Sequence, residues 1–153
     1  MTNFINALTI FILAIYYSVT PVHPMQCDPM LKDMVMQFKH ETKDFNHNNR
    51  LVSIEIDYEL DSLGICTQDR FGIRRVKILP PHKLKGFATM KAVLFHELAH
   101  CLLEVDHSAE LILMQEFLPV DQRYWMLMLP VAMLELRGHL EKRKRFTPLG
   151  GMR

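Results

Sequence analysis

Two histidines and a glutamate stand in a spacing that chemistry can use: His96-Glu97-Leu98-Ala99-His100. On an α-helix, residues four apart lie about 40° apart around the axis and one turn along it, so both imidazoles can meet one ion. Glu97, about 100° from His96, can reach a water on that ion without being a ligand. Zinc takes nitrogen ligands in tetrahedral geometry, and a catalytic site keeps one position open for water. The metal lowers the pKa of that water, and the carboxylate takes its proton as it attacks a carbonyl. A third protein ligand should follow. His107, seven residues beyond His100, can return over the ion if the helix ends near Glu104. If the helix runs on, Glu104, Glu110 or Glu116 could complete a His-His-Glu site instead. A structural zinc would need a fourth protein ligand, and Cys101 points away from the histidine pair. The remaining reading makes His96 and His100 core histidines satisfied without metal.

The element carrying these residues is unusual. From Ala88 to Glu104, apolar side chains such as Met90, Val93, Leu94, Phe95, Leu98 and Leu102 cover nearly every direction around the helix. A helix without a solvated face is buried on most sides. Burying three ionisable groups within it is costly unless they are paired or hold a metal. The polar patch therefore has a purpose.

The stretch from His96 to Met114 resembles the metzincin zinc metallopeptidases, in which H-E-x-x-H is followed closely by a third His and then a Met-turn. More narrowly, it is similar to short exported bacterial and phage proteins of matrixin-like type. The strand–turn–strand stretch from Ile54 to Leu79 and Cys101 after the second His fit that pattern, and the likeness spans Asp28 to Met114. The resemblance implies that His96, His100 and His107 are zinc ligands, Glu97 the general base and Met114 the Met-turn residue. This chain departs from the pattern in three places. The third His comes one residue later than usual, with Leu103 and Glu104 where a Gly would stand. A non-Gly residue in a left-handed turn costs about 1 kcal/mol. Ala99 replaces the usual Gly inside the motif, and no Tyr stands two residues after Met114.

The elements around the zinc helix follow from pattern. Asp28-Pro29 starts a helix, with Leu31, Met34, Val35, Phe38, Thr42 and Phe45 on one face. Asn46-His47-Asn48-Asn49 ends it. Then Val52, Ile54, Ile56 and Tyr58 alternate with polar neighbours as a half-buried strand. Turns at Asp61 to Gly64 and at Gln68 to Gly72 flank short extended pieces, Ile65 to Thr67 and Ile73 to Leu79. Asp121 caps a C-terminal helix whose apolar stripe is Met126, Leu129, Met133, Leu136 and Leu140, and Pro130 should kink it or split it in two. The basic cluster from Glu141 to Arg145 reads as a solvated end that, beside an apolar anchor, could touch anionic lipid. His23, His40, His47, His82 and His139 lack partners at ligand spacing and read as surface residues.

A chain of 153 residues, 49% hydrophobic and 23% charged, suits one domain with a real core and excludes disorder. With 18 basic against 17 acidic residues, a nucleic-acid partner is not expected. Three cysteines exclude a disulfide-dense scaffold; Cys27 could pair with Cys66, or Cys66 with Cys101. No charged residue precedes Asp28, and Phe4 to Val19 is almost wholly apolar. Residues 1–24 therefore read as a signal peptide or an N-terminal anchor through residues 4–19, ahead of a single metallopeptidase-like domain over 25–153.

The expectation is an α+β domain: a small mixed β-sheet packed against a central zinc-binding helix and one or two further helices. Its function is expected to be zinc-dependent hydrolysis of peptide bonds in a peptide or protein substrate. The protein would be a monomer, exported to the periplasm or secreted, or associated with the membrane through its apolar N-terminal segment. The alternatives are a catalytically idle exported binding module of the same fold, or a zinc amidase acting on a non-protein amide.

Overall fold

Asp28 and Pro29 begin the first helical segment as their chemistry dictates. The Asp28 carboxylate accepts the Met30 N–H at 2.9 Å, and the proline sits where no N–H is needed. A single 3-10 turn (Pro29–Leu31) passes directly into α1 (Lys32–Glu41). The structure, a computed structural model, describes residues 25–146; the apolar run and the whole of 1–24 lie outside the described residues. Leu31, Val35, Phe38 and Thr42 are buried along α1 as the pattern predicted, with Met34 and Phe45 partly so. The helix ends earlier than expected. Thr42 folds its hydroxyl back onto the Phe38 carbonyl at 2.8 Å and also meets His47 Nε2 at 2.9 Å, so His47 is half-buried rather than a surface residue.

Four strands form one mixed sheet in the order β1-β2-β4-β3: β1 (Gln26–Cys27), β2 (Leu51–Ile56), β3 (Gly64–Gln68) and β4 (Arg74–Ile78). β1 and β4 flank β2 in parallel, while β3 and β4 form an antiparallel hairpin. Asp69 shapes its turn by accepting the N–H groups of Phe71 and Ile73 through one carboxylate oxygen, and Gly72 supplies the positive φ. The expected alternation in β2 holds only in part. A register shift between Leu51 and Ser53 breaks the period, so Leu51 and Ile54 are buried, Val52 and Ile56 only partly. Tyr58 lies past the strand and is exposed. One sheet face is apolar through Ile54, Val76 and Ile78; on the other, Lys77 bridges Asp57 at 3.0 Å and Glu55 at 4.0 Å.

The long central helix α2 (Phe87–Leu103) lies against β3 and β4, with α1 and the C-terminal helix α3 (Gln122–Phe146) packed against it in turn. This is the α+β arrangement that the sequence predicted. Asp121 caps α3, accepting the N–H groups of Arg123 and Tyr124 at 2.8 and 3.2 Å. Pro130 does not split the helix, which is one element of 25 residues. Both Pro130 and Met126, whose carbonyl the proline leaves without its donor, are exposed, so water can satisfy that oxygen. Met126 is 65% exposed rather than part of the buried stripe, and Trp125 takes the inward position.

Candidate metal centre

The buried helix α2 carries its two histidines near its C-terminal end, and its termination brings in the third. Leu103 is the last helical residue and Glu104 adopts the left-handed conformation, φ 55° and ψ 44°. That turn reverses the chain, so that His107 Nε2 lies 3.2 Å from His96 Nε2. Glycine would be the cheap residue here. Glu104 is held instead by its surroundings: its carboxylate accepts from Asn48 Nδ2 and Arg74 Nη2, both at 2.8 Å. Arg143 Nη1 donates to the carbonyls of Leu103 and Glu104, and Arg74 Nη1 to that of Cys101. With the Leu102 carbonyl taken by the Asn48 N–H at 2.7 Å, these contacts occupy several of the carbonyls that a helix end leaves without partners.

The rings are oriented by backbone carbonyls. His96 Nδ1 lies 2.7 Å from the Leu113 oxygen, and His100 Nδ1 lies 2.5 Å from the Val105 oxygen. A carbonyl only accepts, so each ring carries its proton on Nδ1 and turns a bare Nε2 lone pair inward. Those two Nε2 atoms are 3.0 Å apart. Lone pairs at that separation repel unless a cation sits among them, so the donor set fits a metal ion. His96, His100 and His107 each offer one nitrogen, all within 4.8 Å of one another, and together they could hold one. Among the described residues no carboxylate joins this cluster: Glu104 is engaged with Asn48 and Arg74, while Glu110 and Glu116 are exposed outside it.

Burial acts on the charges in opposite directions. Desolvation pulls the His96 pKa down to about 4, helped by the neighbouring His100 and His107 and resisted by the Leu113 hydrogen bond. His100 moves the same way for the same principal reason. Glu97, 6% exposed, is pushed up to about 7 by burial, against a hydrogen bond from the Cys66 backbone. All three groups face a cleft of about 1040 Å³ that β3, the 104–107 turn and the Glu116–Leu118 segment help to line.

Several supporting residues carry no motif of their own. Gly64, read from the sequence only as part of a turn, opens β3 where it crosses α2. A Cβ there would fall 2.7 Å from Val93 Cγ1 and 2.9 Å from Glu97 Cγ, so only glycine lets the strand pass the carboxylate this closely. Cys66 and Cys101 form a disulfide joining β3 to α2 one residue after His100, which decides between the two pairings the sequence allowed and leaves Cys27 as a thiol. Met114 is fully buried at the end of a 3-10 turn (Ile112–Met114), and its carbonyl accepts the Ser108 N–H at 2.8 Å. The loop from Ser108 to Met114 thus closes on itself directly after His107 and carries the Leu113 carbonyl that orients His96. Cys66, Cys101 and Met114 were candidates in the sequence and Gly64 showed only as a turn glycine; the arginine and asparagine contacts had no signal.

No protein-family model, curated protein or solved structure matches this chain.

Proposed function

We propose that this protein is a zinc-dependent metallopeptidase of metzincin type, with His96, His100 and His107 holding the ion and Glu97 as general base. The observation that carries this reading is the convergence of three imidazole Nε2 atoms beside a buried carboxylate in an open cleft. The Nε2 separations of 3.0 and 3.2 Å are near the edge of about 3.3 Å that zinc–nitrogen bonds of about 2.0–2.1 Å give in a tetrahedron. Among the described residues three ligands without a fourth favour a hydrolytic over a structural centre, and Cys101 is held in a disulfide. The order of the site also suits a metzincin, with a tight turn, a third histidine and then a buried methionine closing a loop.

A zinc ion held by His96, His100 and His107 would supply Lewis acidity and lower the pKa of a water toward neutral. Glu97, buried beside the histidines, would take the proton of the attacking water and return it to the departing amine. The Leu113 and Val105 carbonyls keep His96 and His100 in the tautomer that presents Nε2. Among the described residues β3 is an edge strand along the cleft, and an edge strand can pair with an extended backbone. That favours a peptide over a small non-protein amide as substrate. The disulfide suits an oxidising compartment, in keeping with export.

Zinc-supplemented expression followed by elemental analysis should find about one zinc per chain. Glu97→Gln should keep the metal and lose about 10²–10⁴-fold in turnover on a peptide library. Protein without metal, or a Glu97→Gln variant as active as wild type, overturns the proposal. Metal binding without hydrolysis moves the reading to an idle binding module.

A further inference from the structure

Helix α3 is apolar on two sides. Trp125, Leu129, Met133, Leu136 and Leu140 turn into the core. On the other side Met126, Leu127, Val131 and Leu134 are 65%, 75%, 44% and 68% exposed, with exposed Pro130 among them. Solvent-facing helix positions ordinarily carry polar residues, and a contiguous apolar stripe marks an interaction surface. Basic residues bound it at both ends. Arg123 precedes it, Arg137 follows, and Lys142, Lys144 and Arg145 extend the exposed positive charge beyond, with Glu141 the acidic residue among them.

Charge decides what covers this face. If two copies paired antiparallel about Pro130, Arg123 of one would meet Arg137 of the other, since both lie seven residues from Pro130. Parallel pairing would set every basic position against itself. Residues 1–24 contain no Asp or Glu and so offer the arginines no counter-charge. An anionic lipid surface satisfies both parts, its phosphates meeting the basic ends and its interfacial hydrocarbon the apolar middle.

We propose that the outward face of α3 docks in the plane of an anionic lipid bilayer. Leu127, Val131 and Leu134 enter the interfacial region while Arg123, Arg137 and the basic C-terminal turns hold headgroup phosphates. Among the described residues no helix is long and apolar enough to cross a membrane, so the contact lies along the surface. This surface is independent of the metal centre and stands or falls apart from it.

The test uses the full chain carrying Leu134→Trp. Trp125 is 1% exposed, so wild-type protein supplies a steady fluorescence background. The added tryptophan should shift to the blue with phosphatidylglycerol-containing vesicles and be quenched by lipids brominated near the headgroup. It should stay unshifted with pure phosphatidylcholine. Leu127→Gln with Val131→Gln should weaken partitioning about tenfold or more. Arg123→Gln with Arg137→Gln should do the same at low salt, and the difference should shrink as salt rises. These positions are exposed, and unchanged melting temperatures check that the variants fold. Unshifted emission with every vesicle overturns the proposal, and so does equal partitioning of all variants, because the binding would then lie outside this face. A blue shift that grows with protein concentration without lipid overturns it in favour of a second copy. One present at all concentrations without lipid overturns it in favour of the chain's own N-terminal segment.

Discussion

His96 and Glu97 are neighbours in sequence, and burial drives both toward their uncharged forms, the histidine by lowering its pKa to about 4 and the glutamate by raising its own to about 7. His96 and His100 thus reach neutral pH with their Nε2 atoms bare, the form in which they can accept a metal. Ligand identity is testable here. His107→Ala should weaken zinc affinity about tenfold or more in a chelator titration, while Glu110→Gln and Glu116→Gln should leave it near wild type. The reverse pattern would move the site to a His-His-Glu set. Gly64 is the second residue to probe. Alanine there must push Val93, whose β-branched side chain is stiff on a helix, or displace Glu97. Gly64→Ala should cost about 1–3 kcal/mol of stability and lower turnover while metal content stays constant. Activity and elemental analysis on one preparation check it; undiminished turnover would show that the carboxylate does not depend on this close approach.

At the scale of the element, the end of α2 matters more than its middle. A left-handed non-Gly residue costs about 1–2 kcal/mol, and at Glu104 the contacts to Asn48 and Arg74 offset it. Two substitutions separate strain from clamp. Glu104→Gly loses the side-chain contacts but relieves the backbone, whereas Glu104→Ala loses the contacts and keeps the strain. Thermal stability and zinc affinity should therefore fall in the order wild type, Gly, Ala, with about 1 kcal/mol between the last two. Melting curves with and without zinc measure both. Equal behaviour of Gly and Ala would mean that the turn is not strained at this position.

Over the whole molecule, the fold is held across the site by a covalent link and by neutral buried histidines. The Cys66–Cys101 bridge closes a sequence separation of 35, worth about 3–4 kcal/mol in the chain-entropy account, and fixes β3 against α2. The histidines make metal-free stability depend on pH. Because folding lowers the pKa of His96 from 6.5 to about 4, the unfolded chain binds its proton more readily. The stability it confers is full above pH 6.5 and is lost as pH falls toward 4, by up to about 3 kcal/mol. His100 contributes in the same sense. Glu97, whose pKa folding raises to about 7, acts in the opposite sense between pH 7 and 4.5, so the histidine's share is read against His96→Gln: relative to that variant, melting temperatures of chelator-treated wild type should fall between pH 7.5 and 4. Parallel curves for the two proteins would place the acid sensitivity elsewhere.

What was legible in the sequence is what repeats locally. The bounds expected for α2 shifted by one residue, and His96, Glu97 and His100 share their patch because a helix sets the geometry of i and i+4 by itself. The β3–β4 hairpin likewise announced itself through its turn residues. By contrast, β2 lost its alternation to a register shift that its partner strand imposes, which no single strand can show. His107 was legible as a candidate, but its approach to His96 depends on a turn held by contacts 56 residues away at Asn48 and 30 away at Arg74. Gly64 beside Glu97, the choice of Cys66 as the partner of Cys101, and the Leu113 carbonyl behind His96 are equally contacts between distant segments. The sequence by itself determined the helix, its histidine pair and the glutamate beside it, because those follow from local backbone geometry. Only the tertiary structure decided the third histidine, the disulfide and the support of the turn, because each is a meeting of segments that the packing of α2 against the sheet brings together.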